Sequence, residues 1–117
     1  MTPWEIIETT EYSDWFVGLT ERQRRAINSR RRLLGQLGPM AGRPYVDTLR
    51  FTRTSKLKEL RVRSDGELRI LFAFDSKRRA ILLLGGDKSE DNMWNQWYPA
   101  AIRRAEDLLR EHERSGD

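Results

Sequence analysis

The stretch KELRVRSDGELRILFAFD, residues 58–75, decides the fold of this chain. Its two halves alternate like β-strands, and the Asp65-Gly66 pair between them is typical of a hairpin turn. Arginines stand within both strands beside apolar neighbours. A guanidinium buried in a sheet is costly unless it is paired or still reaches water. Arg61 and Arg69 therefore need either a structural partner or a function.

A short strand and two helices are expected before the hairpin. Residues 4–8 have the β-branched and aromatic content of a strand, and residues 12–19 place apolar side chains on one helical face. Thr20 and Gln23 form a capping-box pattern, which begins a second helix over residues 21–37.

The segments around the hairpin complete the sheet. The connector before it predicts one short strand near residues 45–49, and the apolar run at residues 79–86 lacks alternation, which indicates a strand buried on both faces. Pro99 is expected to open a terminal helix. We therefore expect one α+β domain over residues 1–117. Its twisted, mainly antiparallel sheet carries an N-terminal helical hairpin on one face, a C-terminal helix, and a cationic concave face opposite the hairpin.

The composition limits the classes of function. A net charge of +4 permits nucleic-acid binding without requiring it. The chain has no cysteine and one histidine, and its carboxylates lack the D-x-D spacing of a cation loop, so we expect neither a metal nor a cofactor. No apolar run approaches the ~20 residues of a membrane helix, and the N-terminal residues are acidic where a secretory signal is basic. We expect a cytoplasmic protein that does not contact membranes.

Charged residues are expected to converge on one face of the sheet. Period-2 geometry places Arg69 opposite the Phe72 face, so if the helices cover the Phe72 side, Arg69 lies beside Arg61 or Glu59. Lys88 follows two glycines at the end of the third strand, where a ligand can approach closely. The sequence therefore predicts three cations and one carboxylate on a common surface.

Aromatic and further basic residues surround these positions. Trp94, Trp97 and Tyr98 follow the third strand, and cations interleaved with aromatics can hold phosphates while bases stack. Additional basic residues that could contact RNA, or attract an acidic or mixed-charge partner segment, are Arg50, Arg53, Lys56, Lys58 and Arg63.

Each feature also has a structural interpretation. Arg61 and Arg69 could simply pair with Glu59, Asp65 or Glu67, since paired charges on a sheet face are ordinary. The tryptophans could serve packing alone. The arginine-rich run at positions 22–32 is expected to be a solvated helix face, and His112 is not expected to be catalytic.

The motifs GRPYVDTL, KELR, LRILFAFD and LLGGDK, taken in order, resemble the RelE/HigB toxins of bacterial toxin–antitoxin systems, in particular the phage Gp49-like, HigB-type branch. The resemblance covers nearly the whole chain. It implies a RelE-like fold and an endoribonuclease that enters the A site of the 70S ribosome and cuts the messenger RNA by metal-free attack of the ribose 2′-OH. It also implies inhibition by a HigA-like antitoxin with a helix-turn-helix domain, and contact with operator DNA only through that antitoxin.

The resemblance implies roles for individual residues. Arg69 matches the phosphate-binding arginine, while Arg61 and Lys88 match basic positions on the neighbouring strand and at the end of the last strand. Tyr98 or Trp94 falls where RelE-like toxins place an aromatic that stacks on the base or assists the 2′-OH. Some HigB toxins use histidines, but the one histidine here lies in the terminal helix, so we expect the general base to be Glu59, Tyr98 or a group of the ribosome.

Two other functions fit the same scaffold. ParE-like relatives inhibit DNA gyrase without cutting RNA, and a non-catalytic RNA-binding module would use the same basic face.

Overall fold

The computed structural model describes residues 3–49, 52–54, 56–88 and 93–116, without the side chains of residues 93–97. The strands are β1 (Glu5–Glu8), β2 (Val46–Thr48), β3 (Lys58–Arg63), β4 (Glu67–Phe74) and β5 (Arg79–Asp87). The helices are α1 (Thr10–Val17), α2 (Glu21–Leu37) and α3 (Met93–Arg114), and a 3-10 turn covers Gly38–Met40. Among the described residues, no helix has the length and apolarity needed to cross a membrane.

The strands form a five-stranded sheet in the order β1-β5-β4-β3-β2. β3, β4 and β5 make the predicted antiparallel meander, and β2 adds an antiparallel edge. β1 instead pairs in parallel with β5 at the other edge. The expected α+β fold with a mainly antiparallel sheet is confirmed.

One face of the sheet is covered by α1 and α2. The buried cluster on this side joins the two helices to even-numbered positions of β4, and includes Tyr12, Ile27, Leu34, Leu68, Ile70 and Phe72. Gly85 of β5 allows the close approach of α1, since a Cβ there would lie 2.1 Å from the Trp15 ring. The predicted placement of both N-terminal helices on one face is confirmed.

The opposite face is partly covered by α3, which corrects the expectation of an open concave face. The buried residues on this side are Leu57, Leu71, Ala73, Ile81, Leu83, Ala101, Ala105, Leu108 and Leu109. β5 is therefore buried on both faces, as its lack of alternation predicted. The charged positions of β3 and β4 occupy the remaining part of this face.

The starts of α2 and α3 can be compared with the helix starts predicted from Thr20 and Pro99. The Thr20 side chain accepts from the Gln23 backbone N–H, and the Gln23 side chain accepts from the Thr20 N–H, so α2 begins as predicted. The prediction that Pro99 begins the terminal helix is wrong, because α3 begins at Met93 and contains Pro99. Proline has a φ compatible with a helix but lacks the N–H of a regular interior position, so its presence alone does not define a helix start.

The C-terminal part of α3 is fixed to the β4–β5 turn by a buried carboxylate. The Asp75 side chain is fully buried, and its Oδ2 lies 2.7 Å from Arg79 Nε and 3.0 Å from His112 Nε2. Its Oδ1 accepts from the backbone N–H groups of Lys77 and Arg79. Burial alone would raise the pKa of Asp75, but these hydrogen bonds together hold it well below its ordinary value.

Replacing this carboxylate should destabilise the protein. Because it leaves Arg79 without its buried partner, Asp75→Asn should lower the free energy of unfolding by about 3 kcal/mol. The exposed pair of Asp107 with Arg110 provides the control, since Asp107→Asn should cost less than about 1 kcal/mol. Denaturant titration measures both values, and equal losses would contradict the structural role of Asp75.

The same network predicts acid sensitivity. A carboxylate whose pKa is lowered by folding contributes stability above its unfolded pKa of about 3.9, and this contribution is lost as the pH falls below that value. The wild type should therefore lose more stability on acidification than Asp75→Asn does.

Candidate functional site

Arg61 and Arg69 lie directly opposite each other in the β3–β4 register. Both side chains contact one carboxylate, since Arg61 Nε is 3.5 Å from Glu59 Oε2 and Arg69 Nε is 3.3 Å from Glu59 Oε1. The Glu59 and Arg69 side chains are only 6% and 12% exposed, whereas the Arg61 side chain is 37% exposed. The predicted juxtaposition of these three residues is observed, and a buried carboxylate holds two guanidiniums side by side.

Burial shifts the titration of this group. Desolvation raises the pKa of Glu59, although the positive charges of Arg69 and Arg61 act to lower it. Desolvation also lowers the pKa of Arg69, although the negative charge of Glu59 acts to raise it. Glu59 Oε1 and Arg61 Nε are buried without a hydrogen bond among the described residues. The three charges are thus close together but not fully satisfied by each other.

The two arginines open onto a cavity of about 400 Å³, which we call the arginine cavity. Its lining residues come from α2, the segment before β2, and β3 and β4: Arg30, Pro44, Tyr45, Arg61, Arg63, Glu67 and Arg69. The Arg61 N–H donates to the Tyr45 carbonyl at 2.7 Å, which holds this segment beside β3. The cavity is therefore built on the sheet, with a wall supplied by α2.

Ion pairs surround the arginine cavity without neutralising it. Asp47 Oδ2 lies 3.2 Å from Arg61 and 3.1 Å from Arg43. Glu67 contacts Arg63 at 3.1 Å and Arg69 at 3.9 Å. The anticipated pairing with Glu59 and Glu67 is observed, while Asp65 pairs with Arg22 instead. Arginines still outnumber carboxylates around the cavity, so an anion can be accommodated.

The end of β5 places a glycine and a lysine near this group. Gly86 lies opposite Arg69 in the register, and no side chain of β5 therefore covers the guanidinium at that position. Lys88 is exposed, and its backbone N–H donates to the Glu67 carbonyl at 2.7 Å. Its positive charge acts on Glu59. Lys88 thus lies at the same end of the sheet as the arginine cavity.

The structure places Tyr98 elsewhere. It lines a different cavity, of about 480 Å³, between α3 and the segment after β2, together with Arg53 and Glu106. The carboxylate of Glu106 accepts from the Arg53 backbone N–H, which ties that segment to the helix. Neither Tyr98 nor Arg53 lines the arginine cavity.

The other basic residues proposed for RNA contact are spread over the surface. Lys56 pairs with Glu113 of α3, and the Lys58 amino group lies 3.3 Å from the Thr48 hydroxyl. Arg63 is exposed and lines the arginine cavity. Arg50 and the Trp94 side chain lie outside the described residues.

Sequence reasoning missed two residues of the cavity wall. The Arg30 guanidinium carbon stacks 3.9 Å from the centre of the Tyr45 ring. The sequence predicts Arg30 on a solvated helix face and Tyr45 at the start of a short strand in the connector. The available signal was the Pro-Tyr pair at the start of that strand, but its contact with α2 depends on the tertiary fold. Among the described residues, no cluster of three or more possible metal ligands occurs.

Comparison with known proteins identifies the family. Residues 14–110 match the family described as phage derived protein Gp49-like. The chain belongs to this Gp49-like family of HigB-type toxins. Two relatives from Mycobacterium tuberculosis support the assignment. The candidate toxin HigB3 is 39% identical over 89% of this chain and 92% of its own length. The candidate toxin HigB2 is 41% identical over 86% of this chain, which spans only about half the length of HigB2.

Solved structures share the fold of this HigB-type chain. The RelE–RelB complex of Pyrococcus horikoshii aligns with a TM-score of 0.57 and 18% identity, over 77% of this chain and 99% of the matched one. A mutant of free Escherichia coli RelE aligns with a TM-score of 0.58 and 8% identity, over 80% and 92% of the two chains. At these identities the comparison establishes the RelE-like fold.

Proposed function

We propose that this HigB-type chain is a ribosome-dependent endoribonuclease that inhibits translation by cutting messenger RNA. The observation that carries this proposal is the pair of adjacent guanidiniums, Arg61 and Arg69, held by buried Glu59 at the edge of an arginine-lined cavity. Family membership supports a toxin, and the cavity supplies a place for a phosphate.

The arginine cavity suits cleavage by the RNA's own 2′-OH. In this reaction the 2′-oxygen bonds to the adjacent phosphorus and the bond to the 5′-oxygen breaks, giving a 2′,3′-cyclic phosphate and a 5′-OH. Negative charge grows on the non-bridging oxygens in the transition state. The planar guanidinium of Arg69, with Arg61 beside it, can donate hydrogen bonds to those oxygens more strongly as that charge grows.

Of the three carboxylates that contact Arg61 or Arg69 among the described residues, namely Asp47, Glu59 and Glu67, Glu67 is the one that lines the arginine cavity. Glu59 lies behind the guanidiniums and does not line the arginine cavity, so we assign it the positioning of Arg61 and Arg69. Glu67 lines the cavity and is half-buried beside Arg69. We assign Glu67 the acceptance of the 2′-OH proton, and Lys88 the stabilisation of charge on the departing 5′-oxygen.

The proposed partners follow from the proposed activity and from the relatives. The substrate is messenger RNA in the A site of the 70S ribosome. The fold neighbours include a RelE–RelB complex and the RelBE2 toxin–antitoxin complex. These complexes support an antitoxin for this chain, which we propose is a HigA-like helix-turn-helix protein that also contacts operator DNA.

The test is a reconstituted bacterial translation reaction. Purified chain should arrest protein synthesis and leave cuts in the message, each bearing a 2′,3′-cyclic phosphate, only when ribosomes are present. Message incubated without ribosomes is the control. An intact message together with blocked gyrase supercoiling would contradict the proposal in favour of a ParE-like inhibitor, and RNA binding without cuts would indicate a non-catalytic module.

A further inference from the structure

A second, smaller cavity adjoins the arginine cavity and shares Arg30 and Tyr45 with it. We call it the side pocket. Its volume is about 270 Å³, and its other lining residues are Leu33, Leu34, Leu37, Ala41, Gly42, Arg43, Val46 and Leu60. The lining that the structure describes is thus mostly apolar, with two arginines and Tyr45 and no carboxylate.

The shared wall has the properties of a stacking surface. Arg30 stacks on the Tyr45 ring at 3.9 Å, and Tyr45 is 38% exposed. Arg30 Nε is buried and has no hydrogen-bond partner among the described residues. A ligand with a hydrogen-bond acceptor would satisfy Arg30 Nε. A planar ligand could stack on the Arg30 guanidinium or the Tyr45 ring.

The volume of the side pocket and its position beside the arginine cavity indicate which class of ligand it binds. The side pocket is smaller than the ~300–1,000 Å³ cavities that take drug-sized ligands, and it suits one small ring system. Single-stranded RNA is recognised when a base is splayed out and stacked on aromatic or arginine planes. The two cavities share Arg30 and Tyr45, so the side pocket lies beside the position proposed for the phosphate.

We propose that the side pocket binds one nucleobase of the RNA strand held in the arginine cavity, and that it sets the base preference of cleavage. This inference rests on the proposed function. Besides the Tyr45 hydroxyl, which can donate or accept, the polar side chains described at the pocket are those of Arg30 and Arg43, which are hydrogen-bond donors only. They favour a base edge with acceptors, such as O6 and N7 of guanine, over an edge that presents the amino group of adenine.

Gly42 is a lining position of the side pocket at which an added Cβ meets no other atom. A Cβ at this position meets no atom within 4 Å, so Gly42→Leu should fold normally while placing a side chain at the pocket lining. Ala100→Leu is the matched control, because Ala100 is exposed on α3 and lines none of the cavities described above.

The first measurement uses the isolated protein and needs no nuclease activity. Guanosine 5′-monophosphate should bind about tenfold more tightly than inorganic phosphate, because base stacking adds to the phosphate contact. Titration with guanosine 5′-monophosphate should shift the NMR signal of the Gly42 amide, whereas adenosine 5′-monophosphate should bind more weakly.

The variants test whether the side pocket is responsible. Gly42→Leu should bind guanosine 5′-monophosphate no more tightly than inorganic phosphate, and Ala100→Leu should keep the tighter binding of the nucleotide. Equal affinity for the nucleotide and for phosphate would overturn the inference, whether or not the chain cuts RNA.

The second measurement maps cut sites on ribosome-bound messages. Gly42→Leu should lower cleavage at the preferred guanine-containing sites about tenfold and flatten the base preference, with an unchanged melting temperature. An unchanged cut-site distribution would overturn the inference while leaving the proposed activity intact. If Gly42→Leu instead abolished only neutralisation by the antitoxin, the side pocket would be a protein-docking site and the inference would be wrong.

Discussion

Replacement of Arg69 by alanine is expected to lower the rate of message cleavage by about 10² to 10³, comparable to the loss of one oxyanion donor. The Arg69 side chain is 12% exposed, and its guanidinium is fixed between Glu59 and the arginine cavity. Because it is already positioned, little reorganisation is needed as charge develops on the phosphate. Single-turnover cleavage on programmed ribosomes measures the effect.

Lysine at this position should rescue activity only partly. An ammonium is a point charge, whereas a guanidinium donates to two phosphate oxygens in one plane, so Arg69→Lys should retain ribosome binding better than rate. Arg61→Ala should be milder and non-additive with Arg69→Ala if both contact one phosphate.

The competing structural interpretation predicts a different result. If Arg69 only neutralises Glu59, Arg69→Ala should lower the melting temperature strongly while cleavage per folded molecule stays unchanged. Arg25→Ala is the control, since the Arg25 pair with Glu21 is exposed on α2. Melting temperature and rate measured on the same preparation distinguish the two interpretations.

Glu67→Gln is expected to lower cleavage by about 10² or more, because the amide cannot accept the 2′-OH proton. The ribosome-binding affinity should change little, since the side chain keeps its size. Single-turnover rates and ribosome-binding titrations measure the two effects.

Glu59→Gln is the matched comparison for that experiment. Glu59 contacts Arg61 and Arg69 from behind the arginine cavity, so its amide variant should reduce the rate less than Glu67→Gln does. If Glu59→Gln costs more rate per folded molecule than Glu67→Gln, the general base is Glu59 and our assignment is wrong.

Much of the fold follows from local patterns in the sequence. The capping box at Thr20 and Gln23 and the Asp-Gly turn fix the start of α2 and the β3–β4 hairpin, because both depend on contacts between near neighbours. The start of α3 was missed because proline is compatible with a helix interior that surrounding contacts support. The partial covering of the charged face by α3 depends on tertiary packing.

The candidate site was predicted only where strand alternation determines it. Alternation and register place Glu59, Arg61 and Arg69 together. Arg30 and Tyr45 were missed, because their contact joins a helix to a connector and no periodic pattern encodes it. The resemblance to RelE/HigB toxins implied that Tyr98 lies at the active site, but Tyr98 lines a different cavity from Arg61 and Arg69.

The parallel pairing of β1 with β5 has a consequence for synthesis of this protein. The Thr9 hydroxyl donates to the Leu83 carbonyl across 74 positions, so the first strand has no partner until nearly all of the sheet has been translated. A nascent chain that stops before β5 leaves the apolar edge of β4 uncovered, which favours aggregation over activity.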